Sequence, residues 1–195
     1  THRNTSWDQA KFEVCSHKWL DLSETGYGAA LLNDSKYGSD ALGSTIRLTL
    51  LKSGIYPNPA ADREEHDFTY SLFPHRGDFR EGRVVQEAYA LNCPLRALQH
   101  RAPGIKEKVS MASVDAENLI LETIKTAENG EGTVLRLYEC YGKRTRTFVD
   151  LNGLQPEKVW LCDCMEQKQS ELSLENGRAE ILAKPYEILT LLVHK

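Results

Sequence analysis

The sequence predicts an all-β protein, built as an antiparallel β-sandwich in two parts with one short helix, and three observations carry that reading. Short runs rich in Val, Ile, Leu, Thr and Tyr are separated by Gly, Asn, Asp and Pro at hairpin spacing. Within such runs apolar and polar residues alternate: in TVLRLYE, Leu135 and Leu137 flank Arg136, as in a strand with one face buried. Helical periodicity is confined to residues 83–92 (RVVQEAYALN), after which Pro94 forbids continuation.

In the first half, KFEVCSHKWLDL, YGAALLND, STIRLTLLKS and HDFTYSLFPH read as longer strands. ALL and TLL are apolar at consecutive positions, so these strands are expected to be central and covered on both faces. The loop SGIYPNPAADREEH holds Pro57 and Pro59 and must run over a surface. A basic stretch, HRAPGIKEK, divides the chain into an expected end of a large sandwich, residues 1–103, and a smaller sandwich, residues 104–195.

In the second half, SELSLENGRAEILA is a hairpin, because Asn176-Gly177 supplies the two positive φ angles of a type I′ turn. NLILETIKTA and TVLRLYECY form a second around AENGEG, and YECY is expected to turn through Gly142 and Lys143 into TRTFVDL as a third. That spacing gives six to eight short antiparallel strands.

The 24 Lys and Arg stand against 28 Asp and Glu, a net charge of −4 without long blocks of one sign. This argues against nucleic acid and anionic membrane as partners. No apolar run approaches the roughly 18 residues of a membrane span. The chain opens on THRNTSWDQAK without an initiator Met and reads as processed or excised. Five cysteines, odd in number, favour reduced thiols and a cytoplasmic location.

Candidate chemistry is sparse. Glycoside hydrolysis needs two facing carboxylates, yet Asp34, Asp40, Asp62 and Asp67 lie in or beside loops, where turn formation explains an acid equally well. His66, Asp67 and His75 flank one strand, and at about 3.3 Å per residue the two imidazoles stand some 30 Å apart, too far to share zinc. Cys162 and Cys164 share a strand face but have no second C-x-x-C partner, so core packing is the expected role. No G-x-S-x-G elbow or phosphate-binding loop occurs. Trp7, Trp19, Tyr27, Tyr37 and Tyr70 could stack on sugar but are expected in the core. The residues alone thus support a β protein without an active site of its own.

The run THRNTSWDQAKFEVCSHKWLDLSETGYGAALLNDSKYG, then STIRLTLLKSGIYPNPAADREEHDFTYSLFPHRG and VVQEAYALNCPL, resembles the C-terminal region of glycoside hydrolase family 38 α-mannosidases, in the branch shared by bacterial enzymes and the animal cytosolic enzyme. LETIKTAE, VLRLYE and PYEILTLLV extend a weaker likeness to the end. The resemblance implies a retaining exo-α-mannosidase whose nucleophile and zinc ligands lie in an N-terminal domain. This chain would then be a non-catalytic β portion packed on that domain, binding no zinc itself and inactive alone. The loop NDSKYG would face the mannoside: Asn33 and Gly38 suit positive φ, and Asn33, Asp34, Lys36 and Tyr37 are the candidate substrate-binding residues. A turn with solvated side chains would select much the same residues. An independent carbohydrate-binding or interaction module is the alternative reading. The excised edges and apolar faces are expected to make the isolated chain self-associate.

Overall fold

In the computed structural model, which describes residues 5–7, 12–99 and 108–195, the chain divides into two compact units, Thr1–Gln99 and His100–Lys195. Strands are antiparallel throughout and helix is scarce among the described residues, as the sequence predicts.

The first unit holds two three-stranded sheets. One is ordered β1 (Val14–Cys15), β4 (Gly38–Leu42), β5 (Thr45–Leu48); the other is ordered β2 (Trp19–Glu24), β3 (Tyr27–Asn33), β6 (Tyr70–His75). KFEVCSHKWLDL is therefore not one strand. Lys18 adopts φ 68°, which breaks the extended chain and sends its two parts into different sheets. Thr25 and Gly26 then close the two-residue β2–β3 turn, Gly26 at φ 89°.

Helix α1 (Val84–Asn92) covers one face of the second sheet. Ala30 and Leu32 of β3 pack with Val84 and Ala88, while Trp19 stacks on Phe79 with ring centroids 5.3 Å apart. The opposite face departs from the expected double covering. Register places Leu20, Leu22, Ala29, Leu31, Leu72 and Pro74 on it, and Leu72 remains 67% exposed. TLL lies beyond the end of β5 in irregular chain. Continuous apolar character thus marks a face that stays partly exposed: Gly43 and Ser44 of the β4–β5 turn lie beside Leu22, Tyr27 and Ala29, and Leu72 stands clear.

The second unit is a two-sheet sandwich. One sheet is ordered β13 (Leu174–Glu175), β14 (Arg178–Ala183), β10 (Thr145–Asp150), β7 (Ser113–Val114); the other is ordered β12 (Lys168–Leu172), β11 (Lys158–Cys162), β15 (Ile188–His194), β9 (Thr133–Glu139), β8 (Leu119–Thr126). The core between them takes alternate residues, Leu135 and Leu137 from β9, Leu189, Leu191 and Val193 from β15, Ala179 and Ile181 from β14. The β13–β14 hairpin turns at Asn176 (φ 52°) and Gly177 (φ 72°), and β8 pairs with β9 around residues 127–132, both as predicted.

The third expected hairpin is absent. β9 and β10 lie in different sheets, so residues 140–144 carry the chain across the sandwich rather than back along one sheet. The Glu139 carboxylate organises this crossing: it is 1% exposed and accepts hydrogen bonds from the N–H groups of Tyr141 (2.8 Å), Gly142 (2.8 Å) and Tyr186 (2.9 Å) and from the Asn118 amide (2.7 Å). Another crossing occurs at Ser173, between β12 and β13.

Candidate functional site

The loop following β3 is the candidate site, and its frame is built from distant pieces of the first unit. Asn33 is fully buried at the end of the strand, where its N–H donates to the Lys18 carbonyl (2.9 Å) and its own carbonyl accepts from the Asn92 side chain at the end of α1 (3.0 Å). Its side-chain oxygen accepts the Lys36 N–H (3.0 Å), so Asn33 folds the turn through its side chain rather than through positive φ. Gly38 does not adopt positive φ either; it opens β4 opposite Cys15.

Asp34 points back onto the scaffold. Its carboxylate accepts from the Thr69 N–H (3.0 Å) and the Ser35 hydroxyl (2.8 Å), while its N–H donates to the Thr69 carbonyl (3.1 Å). The Thr69 N–H first, and the Ser35 hydroxyl second, hold this carboxyl below its ordinary pKa. Asp34 is therefore a standing anion and a poor proton donor near neutral pH.

Lys36 and Tyr37 form the outer surface of the loop. The Lys36 ammonium lies 4.8 Å from the Phe68 ring centroid, and the Tyr37 ring stacks on His17 at 4.6 Å with 29° between planes. Tyr37 remains 46% exposed, and its carbonyl takes the Ser16 N–H (2.9 Å). Of the four predicted residues, Asn33 and Asp34 hold the turn, while Lys36 and Tyr37 offer a cation and a phenol from fixed positions. That arrangement can orient a polyhydroxylated ligand through hydrogen bonds. It contains no nucleophile activated by a neighbouring base.

The other candidates separate. Asp40 pairs with Arg47 (2.7 Å), and Asp62 sits at φ 55° in a turn where its carbonyl meets His66 Nε2 (3.1 Å). His75 is buried against Asp21. Among the described residues no three His, Cys, Asp or Glu side chains are grouped to hold a metal. Cys162 is buried beside Val134 and Leu192, but Cys164 is exposed beyond the end of β11, so the two thiols do not share a role. Trp19 alone of the five aromatics packs with a core: Trp7, Tyr27, Tyr37 and Tyr70 are between 46% and 83% exposed. Tyr27 and Tyr70 sit at opposite ends of the partly exposed sheet face, where aromatic size brings no burial.

Sequence reasoning missed the residues that hold the loop: His17, Lys18, Phe68, Thr69 and Asn92. Their signal was available only in part, as the amide following a helical run, because each meets the loop across a long separation in the chain.

The description of the family model that matches residues 1–60 is Glycosyl hydrolases family 38 C-terminal domain; that of the model matching residues 118–191 is Glycosyl hydrolases family 38 C-terminal beta sandwich domain. The chain is 42% identical to Alpha-mannosidase 2C1 of Homo sapiens over 99% of its own length and 19% of that protein's. It is 39% identical to Alpha-mannosidase G of Dictyostelium discoideum over 97% of its length and 18% of the relative's, and 33% identical to Alpha-mannosidase of Saccharomyces cerevisiae over 96% and 19%. It thus spans about a fifth of the length of these relatives. The crystal structure of an alpha-mannosidase from Enterococcus faecalis V583 shares the fold, with a TM-score of 0.73 at 16% identity over 96% of this chain and 22% of that one. A second structure, of a protein in the Glycosyl Hydrolase Family 38 from Enterococcus faecalis, aligns at TM-score 0.70 and 15% identity over 93% and 22%. With residues 1–60 and 118–191 matched by two models of one family's C-terminal domains, and almost the whole of this chain aligned with relatives of which it spans about a fifth, the chain belongs to glycosyl hydrolase family 38, as a C-terminal region.

Proposed function

We propose that this chain is the non-catalytic C-terminal β portion of a retaining α-mannosidase, acting on terminal α-D-mannosides in the intact enzyme. It stabilises the catalytic domain and lends it the loop 33–38. The observation that carries this reading is the 42% identity over nearly the whole chain to an α-mannosidase of which it spans only 19%. The zinc and the glycosyl-accepting carboxylate of such an enzyme belong, in this reading, to the catalytic domain. This chain contributes shape and hydrogen bonds. The cytosolic-type branch makes the cytoplasm its compartment, and no helix among the described residues is long and apolar enough to cross a membrane.

The exposure of Tyr37 on a braced loop supports a role toward substrate. In the intact enzyme, Tyr37→Phe is expected to lower kcat/KM about tenfold, the value of one hydrogen bond of roughly 1.4 kcal/mol, with unchanged Tm. Asp34→Ala is expected to lower both activity and Tm, since it releases the Thr69 bond. Unaltered turnover in Tyr37→Phe would make the loop purely structural. The chain by itself is expected to leave an aryl α-mannoside intact, and cleavage by the purified chain would refute the non-catalytic assignment.

The partly exposed face of the β2–β3–β6 sheet, with Leu72 67% and Tyr70 55% exposed, supports self-association of the isolated chain. Sedimentation velocity is expected to show a species larger than 22.0 kDa whose fraction grows with concentration. Leu72→Lys should return it to monomer, and a wild-type chain monomeric throughout would contradict the expectation.

A further inference from the structure

A tightly held titratable group of the first unit lies outside the candidate loop. The His75 side chain at the end of β6 is 2% exposed and that of Asp21, in the middle of β2, is 5% exposed; the His75 Nε2 to Asp21 Oδ1 distance is 2.7 Å. The other ring nitrogen, Nδ1, lies 3.2 Å from the Arg76 carbonyl oxygen. The Arg76 carbonyl can only accept, and so can the Asp21 carboxylate when ionised, whereas a neutral imidazole carries only one N–H. Satisfying both therefore requires a proton on each nitrogen.

The surroundings fix the ring rather than merely enclosing it. Gly28 of β3 lies against its Cε1 and Nε2, and Gly82, just before α1, lies against its Cγ and Nδ1. A methyl group at either glycine would occupy the ring's space. Phe73 stacks alongside at 6.0 Å. The ring is thus clamped between the sheet and the turn 76–83 that leads into the helix.

We infer that His75 is a buried imidazolium cross-brace fastening the 76–83 turn and the start of α1 to the sheet, and that rising pH releases it. Asp21 from β2 and Asp78 from the turn are the charged groups acting on it, while Gly28 of β3 and Gly82 before α1 lie against the ring. Burial works against the charge, but the Asp21 hydrogen bond, the Arg76 carbonyl and both acids outweigh it, so the proton is held above the ordinary histidine range. The sign follows from linkage: a raised folded-state value gives stability that is complete below the unfolded midpoint of about 6.5 and is lost as pH climbs through the folded one. Because Asn92 at the far end of α1 holds the Asn33 carbonyl, release also loosens the candidate loop.

Long-range ¹H–¹⁵N spectra of the histidine-labelled chain test this, with His75 assigned by its contact with Phe73. At pH 6.5 both ring nitrogens are expected to carry protons, with a midpoint above the ordinary histidine value of about 6.5. Between the two midpoints, the unfolding constant of this unit should rise up to about tenfold per pH unit. Asp21→Asn should lower the midpoint, since burial is then opposed only by the Arg76 carbonyl and Asp78. A neutral ring at pH 6.5, or a midpoint no higher than the ordinary histidine value, would overturn the inference. Should Asp21→Asn fail to fold, the wild-type titration still decides it.

Discussion

Replacing Glu139 by alanine is expected to cost the second unit on the order of 3–5 kcal/mol, because two or three buried N–H groups lose their acceptor at about 1–3 kcal/mol each. The carboxylate is buried, yet it receives four hydrogen bonds from Asn118, Tyr141, Gly142 and Tyr186. Those donors come from three places in the chain, so the loss frees the 140–144 crossing and the turn before β15 together. Burial raises the Glu139 pKa, but the Tyr186 N–H, the Asn118 amide and the Tyr141 N–H outweigh it and hold the carboxyl below its ordinary range. A depressed folded-state value gives stability that is present above the unfolded value of about 4.5 and is lost as pH falls from there through the lower folded one. Glu139→Gln should therefore flatten the acid limb of the stability profile while losing less at pH 7 than alanine does. Urea unfolding followed by Trp160 fluorescence measures both effects. A loss under about 1 kcal/mol for alanine would show that water replaces the carboxylate.

The same residue shows where sequence reading reached its limit. In TVLRLYE, Glu139 occupies a position that alternation marks as ordinary strand, and nothing local reveals that three backbone groups converge on it. Alternation tells which face of a strand is buried but not which sheet the strand joins. Hence the β13–β14 hairpin was legible, its two-residue turn being written in Asn176-Gly177, while the crossings near Gly142 and Ser173 were not. The break at Lys18 was hidden for a related reason, since lysine carries no signature of φ 68°. In the candidate loop, the turn residues themselves were recognisable. Their orientation was not, because Asp34 is turned inward by Thr69, 35 positions away, and Asn33 is held by Asn92, 59 positions away.

Adjacent leucines on β15 should separate the two faces of the five-stranded sheet by their cost. Leu191 is 0% exposed, pairs in register with Leu135 and Leu161, and lies in the core between the two sheets. Leu191→Ala leaves a cavity that the flanking strands cannot fill, and is expected to cost about 3–5 kcal/mol. Leu192 is nearly as buried, at 2%, but belongs to a small cluster on the outer face with Val134, Ala127 and Cys162. Its cover is the half-buried Trp160, over which Lys168 lies at 5.1 Å. That ring can settle into the space a shortened side chain leaves, so Leu192→Ala should cost only about 2 kcal/mol. Equal burial thus predicts unequal loss, because the penalty depends on how far the surroundings can collapse. Paired urea titrations of the two variants give the comparison, and Trp160 emission should shift only in Leu192→Ala. Equal costs with no shift would mean that the outer face is as rigidly packed as the sandwich interior.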